Sequence, residues 1–170
     1  AADTLIRDQA QCALCHAPGD DLCYRCHGGT DNETGAPPVG LEGETLTSQL
    51  AVGAHTAHVA GGNFADAFDC TECHLKPLTV ADAGHYDLDS IAEITWGGIA
   101  GTSSVWNRTG ATCSATYCHG NFSGGTSDNT PVWTGGTATC GSCHDTGSDP
   151  AALGGIHDLH VSRYSLDCQD

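Results

Sequence analysis

Four times the sequence sets two cysteines two residues apart with a histidine directly behind the second: Cys12, Cys15 and His16 in "CALCH"; Cys23, Cys26 and His27 in "CYRCH"; Cys70, Cys73 and His74 in "CTECH"; Cys140, Cys143 and His144 in "CGSCH". A fifth site, "CSATYCH", spaces Cys113 and Cys118 by four residues ahead of His119. Ten of the eleven cysteines are used in this way. Two thiols so placed can add to the two vinyl groups of a porphyrin, and an imidazole next to the second thioether is delivered to the axial position of the iron: the chemistry of covalent haem c attachment. In the wider site the two extra residues are expected to bulge outward, so that the sulfurs keep the same separation.

Zinc is the competing reading, because Cys-x-x-Cys pairs and histidine also build tetrahedral structural sites. Zinc gives no reason for a histidine at the same place behind all five pairs. A disulfide scaffold fits worse, since bridging each pair would close only very small loops. The remaining histidines bear on ligation. Beside the five motif histidines stand five others, His55, His58, His85, His157 and His160. A lone histidine is usually an ordinary surface or core residue, but one spare imidazole per haem is what six-coordinate, bis-histidine iron requires. The chain contains no Met, which excludes His/Met ligation and points to low reduction potentials.

The elements that must position these residues are short. Twenty-three Gly and six Pro interrupt a chain of 170 residues that holds only three Phe, four Tyr and three Trp. Long helices and a large sheet are not expected, and little side-chain surface is left for a self-sufficient core. The fold class expected is a mostly irregular multihaem cytochrome c, with stacked haems as core, a few short helices and a short hairpin. Residues 1–30 form an N-terminal dihaem lead-in, 31–47 a Gly/Pro/acidic connector, and 48–170 a unit with CxxCH, CxxxxCH and CxxCH sites. Short helices are expected over 48–60 and 151–162, each carrying two histidines three residues apart on one face. The alternation in "DLDSIAEIT" predicts a short strand in the hairpin.

Two duplications are visible. "VWNRTGATCSATYCHG" from Val105 and "VWTGGTATCGSCHD" from Val132 share Val-Trp, four residues and Ala-Thr-Cys. This supports Cys113 and Cys118 as a true haem site, and Trp106 and Trp133 are expected to pack against porphyrin edges. "VGAHTAHVA" from Val52 and "LGGIHDLHVS" from Leu153 share Gly-x-His-x-x-His-Val. Cys168, the odd cysteine, lies eight residues after His160, and "DCQD" looks like the opening of another CxxCH motif. Its haem would be a sixth if the natural chain continues beyond Asp170.

A net charge of −16 excludes nucleic acid and anionic lipid as partners. No run of about 18 apolar residues exists to span a membrane. "AADTLIRDQA" reads as the start of a mature, exported form, and the cysteine content suits a compartment outside the cytoplasm. Asn32, Asn107 and Asn121 stand in Asn-x-Ser/Thr triplets, which arise easily by chance.

At "ATCSATYCHG", "GHYDLDSIAEITW", "ATCGSCHD" and the Gly-x-His-x-x-His pairs, the chain resembles the paired CxxxxCH/CxxCH multihaem cytochromes of metal-reducing bacteria and related extracellular cytochromes. The resemblance covers most of 52–170. It implies that His55, His58, His85, His157 and His160 are distal iron ligands, and that the protein carries electrons outside the cell or in the periplasm and is not an enzyme. Partners implied are other cytochromes, copies of itself in a head-to-tail filament, and an extracellular electron acceptor. The alternative is a multihaem reductase, which needs one iron with an open position. The motif count predicts five covalently bound haems. Pyridine haemochrome quantitation against protein should return five, and stoichiometric zinc in their place would end this reading.

Overall fold

The computed structural model describes residues 24–29, 31–62, 65–79, 82–83, 85, 91–144 and 163. They fall into two compact units, Ala1–Thr95 and Trp96–Asp170. No helix among the described residues is long and apolar enough to cross a membrane.

The first unit begins with a single helical turn, α1 (Tyr24–His27), that contains the second motif histidine. The chain returns to this turn from the connector, where Val39 N–H donates to the His27 carbonyl at 3.0 Å and Gly28 bridges Pro38. Asn32 builds the intervening bend: its Oδ1 accepts from Thr34 N and Thr34 Oγ1, and its Nδ2 donates to Ala36 O. Helix α2 (His55–Ala60) follows a run of turns. It lies inside the expected 48–60 span but is shorter, because Ala54 offers no capping side chain and Gly61, at φ 68°, ends it. A Cβ at Gly61 would lie 2.6 Å from Ala67 N, so the chain can double back only over a glycine. Phe68 N–H then donates to the His58 carbonyl, which brings the "CTECH" motif alongside the helix. The second expected helix, 151–162, lies outside the described residues.

The expected hairpin exists, but not where alternation put it. Of "DLDSIAEIT", the described residues from Ile91 onward form no strand. Their bonds go to the neighbouring motif instead: Thr95 N–H to Cys73 O at 2.9 Å, and Glu93 O to the His74 ring. The hairpin lies in the second unit, where β1 (Val105–Asn107) pairs antiparallel with β2 (Thr112–Ser114) in the register Val105–Ser114, Trp106–Cys113, Asn107–Thr112. Asn107 Oδ1 accepts from Gly110 N and closes the connecting turn. The second copy of the duplication lies against this hairpin. Thr112 bridges Val132, Cys113 N donates to Pro131 O, and Trp133 N donates to Ala111 O at 2.7 Å. Trp106 and Trp133 meet edge to face, with centroids 6.3 Å apart at 81°, so each duplicated indole packs against the other.

Among the described residues the buried hydrophobic side chains are only Ala36, Val52 and Ala100. Leu41 and Leu78, by contrast, are 82% and 80% exposed. Among the described residues, side chains alone therefore make no core in either unit, and the backbone is held chiefly by hydrogen-bonded turns.

Gly120 occupies one turn that only glycine suits. It follows His119 at φ 109°, and a Cβ there would lie 2.6 Å from Thr126 O and 2.9 Å from Cys143 O. Gly124, at φ 82°, has open space around it. Gly124→Ala should therefore cost only the backbone strain, about 1 kcal/mol. Gly120→Ala adds two backbone clashes and should cost clearly more, as read by urea unfolding followed with far-UV circular dichroism.

Candidate functional site

In "CTECH" a 3-10 turn spans Cys70–Glu72. Asp69 starts it, accepting from Thr71 N at 3.0 Å, and both Cys73 N and His74 N donate to the Cys70 carbonyl. So tight a turn sets both cysteines and the histidine within one loop of backbone. The ring of His74 is then oriented from a distance in sequence: its Nδ1 lies 2.8 Å from the Glu93 carbonyl. A carbonyl can only accept, so Nδ1 carries the proton and Nε2 keeps the lone pair a metal needs. His55 and His58 are held alike, with Nδ1 at 2.7 Å from Val52 O and 2.9 Å from Ala54 O. Each of these imidazoles is oriented through Nδ1 by a backbone carbonyl.

Two motif histidines face two non-motif histidines. His27 and His85 have ring centroids 6.0 Å apart at an interplanar angle of 42°, and His55 and His74 lie 6.2 Å apart at 18°. Two imidazoles bound through nitrogen at about 2.0 Å on opposite sides of one metal ion would have centroids separated by about 6 Å. Both pairs match that spacing. The Nδ1 of His85 is buried and meets no hydrogen-bond partner among the described residues, a state that an ordinary structural histidine avoids. Desolvation, and after it the neighbouring His85 and His74, lowers the pKa of His27. Desolvation also lowers that of His55, against the raising effect of the Val52 carbonyl and together with His74 and His58. Both shifts favour the neutral, ligand-competent imidazole. The ring of His58 lies 6.4 Å from that of Phe68.

The wide motif is built differently from the narrow ones. In "CGSCH" the 3-10 turn again starts at the first cysteine, Cys140–Ser142, and a reciprocal Thr139–Ser142 capping box closes it. In "CSATYCH" the first cysteine, Cys113, sits on β2, and the 3-10 turn spans Tyr117–His119. The extra residues do not simply bulge outward. Ala115 takes a left-handed conformation at φ 53°, Thr116 turns inward and is 4% exposed, and only Tyr117 is solvent-facing. Asn121 secures this loop, donating from Nδ2 to the Ala115 carbonyl at 2.8 Å and to Ser103 Oγ at 3.1 Å. Burial raises the pKa of the Cys113 thiol. The two motifs meet directly: Thr126 N donates to Cys143 O, Gly125 bridges His144, and Cys143 Sγ lies 3.8 Å from Cys118 O.

Residues 112–144, which hold this pair of sites, match the family model described as the Geobacter CxxxxCH...CXXCH motif. Over this segment the chain is similar to that family of multihaem c-type cytochromes. No curated protein and no solved structure matches it. The similarity supports a haem-binding cytochrome that works in electron transfer.

Of the ligands and attachment residues expected from the sequence, Cys12, Cys15, His16, Cys23, His157 and His160 lie outside the described residues, as does Cys168. Cys26 and Cys140 are described in backbone only. The donors that can be seen fit haem: cysteine pairs in tight turns, imidazoles with Nδ1 anchored, and histidine pairs at the span of one iron. Residues that sequence reasoning missed include Asp69, Asn121 and Asn129. Asp69 had a legible signal, as an Asp directly before a motif whose first turn needs a cap.

Asp69 also takes a salt bridge from Lys76 at 2.9 Å. The Thr71 backbone N–H first, and Lys76 second, hold its carboxyl below the usual carboxylate range. A depressed pKa stabilises the fold above the unfolded value and loses that contribution as pH falls through the folded one. Both side chains are about half exposed, so Asp69→Ala should cost no more than about 1 kcal/mol at neutral pH. The difference from wild type should shrink as the pH drops below about 4, which urea titrations at several pH values would show.

Proposed function

We propose that the cytochrome carries electrons through five closely spaced, low-potential haems with bis-histidine ligation, outside the cytoplasm and as part of a longer haem array. The observation that carries this is the pairing of motif with non-motif histidines, His27 with His85 and His74 with His55, at the separation one iron would span. Iron closed on both axial faces has no position for a substrate, and haem so held supplies a one-electron couple. The chain's part is to orient the imidazoles of His55, His58 and His74 by Nδ1 and to keep cysteine pairs in turns that suit attachment. Acidic residues outnumber Lys and Arg by 21 to 5, and negative charge around an iron favours its ferric state, in keeping with a low potential. The absence of any Met from the sequence points the same way.

The same reading accounts for the sparse side-chain core among the described residues. Leu75 and Leu78 follow His74, Val105 and Val132 flank the paired sites, and Tyr117 stands inside the wide motif, all exposed. These are positions at which apolar side chains can cover porphyrin faces, so that stacked macrocycles serve as the core. Cell-surface placement and head-to-tail assembly rest on the resemblance to extracellular cytochromes. Heterologous contacts that do not close on themselves generate filaments.

Carbon monoxide binding by the ferrous holoprotein tests the ligation, because only iron with an open or labile position takes it up. The native protein should bind none. His85→Ala and His55→Ala should each bind one equivalent, and the double variant two. Stoichiometric uptake by the native protein would favour the reductase instead. Negative-stain electron microscopy of native material should show filaments, and monodisperse particles at high concentration would leave soluble electron transfer as the function.

A further inference from the structure

The paired sites of the second unit are joined by a side chain that is neither ligand nor attachment residue. Asn129, half-buried in the segment "TSDNTP" between the two motifs, donates from Nδ2 to His119 O at 3.0 Å and to Ser142 O at 2.5 Å. His119 is the histidine of the wide motif, and Ser142 directly precedes the second cysteine of the narrow one. The two hydrogens of one planar amide thus reach one carbonyl in each motif. An amide group has a fixed span, so this bond pair sets the distance between the two backbones at the points from which an axial imidazole and a thioether leave. The Asn129 amide N–H in turn bonds Thr126 O, and Thr126 N bonds Cys143 O, which anchors the clamp to the same loop.

We propose that Asn129 is a positioning residue that fixes the haems of Cys113/Cys118 and Cys140/Cys143 as one electronically coupled pair. The proposal rests on the electron-carrier reading above. Exchange between two haems falls exponentially with their separation and depends on their relative tilt. A tether at the motif backbone therefore acts on the rate of transfer while leaving each iron's ligands in place. Sub-ångström control of this kind is what supporting hydrogen bonds provide at functional sites.

The test uses the full-length holoprotein carrying Asn129→Asp, which keeps the shape but replaces the donating group with an oxygen facing two carbonyls, and Asn129→Ala, which removes the group. Asn32→Asp serves as control, since the Asn32 side chain bonds Thr34 and Ala36 within the connector bend. Haem content by pyridine haemochrome and carbon monoxide uptake report attachment and ligation. Coupling is read from the exciton couplet in Soret circular dichroism and from the splitting of the haem potentials. Both Asn129 variants should keep the native haem content and bind no carbon monoxide, yet lose one pairwise contribution to the couplet, while the control matches wild type. Unchanged couplet and potentials in both variants would overturn the proposal. Loss of haem, or new carbon monoxide uptake, in both would overturn it too, by assigning Asn129 to attachment or ligation. A native protein that lacks haem or binds carbon monoxide would instead defeat the electron-carrier reading itself.

Discussion

Cysteines and a histidine set close in sequence to meet one macrocycle need a tight backbone turn: α1 (Tyr24–His27) supplies it in "CYRCH", and 3-10 turns supply it in "CTECH", "CSATYCH" and "CGSCH". A 3-10 turn is poorly stable by itself, with strained hydrogen-bond geometry and few bonds per residue. Each turn is accordingly supported from outside. Asp69 caps Cys70–Glu72, the Thr139–Ser142 box caps Cys140–Ser142, and Gly120 relieves the end of Tyr117–His119 in a left-handed conformation. Much of the surrounding chain is a set of braces for these turns, which is why regular structure is limited to one short helix, one helical turn and a hairpin of three-residue strands among the described residues.

The second requirement is an oriented imidazole, and backbone carbonyls meet it. Val52, Ala54 and Glu93 each offer an oxygen to a histidine Nδ1. For His55 and His58 the donor and carbonyl are three and four residues apart, so the onset of α2 itself supplies the brace. For His74 the carbonyl comes from 19 residues away. This non-local bond explains the fate of the segment around Glu93. Its side-chain alternation favours a strand, but its backbone groups are committed to Cys73 and His74, and tertiary bonding overrides a local propensity worth at most about 1 kcal/mol.

That contrast marks what could be read from the sequence. The motifs, the match between motif and spare histidines, and the presence of a hairpin with little else were legible, because each depends on residue identity or local composition. Which histidines face each other was not, since His27 and His85 are brought together by long-range folding. The wide motif was misread in one respect, as an outward bulge. Thr116 is turned inward because His119 N and Asn121 N both donate to its carbonyl, leaving Tyr117 as the exposed residue of the insertion. The contact between Trp106 and Trp133 was not legible either, since no sequence signal says that a duplicated segment folds against its own copy.

The packing of that copy on its original has a further physical consequence. Thr112 bridges Val132, the two indoles meet edge to face, and the tails of the motifs meet again through Thr126 and Cys143. The two copies are thus tied at both ends: ahead of their cysteines, and again where the chain behind His119 meets Cys143 and His144. A segment tied at only one end could swing its second motif by several ångströms; tied at both, it keeps only small relative displacements. Such rigidity is valuable where two cofactors must exchange electrons, and of little use where each binds alone. Most of these contacts lie in residues 112–144, which match the family model.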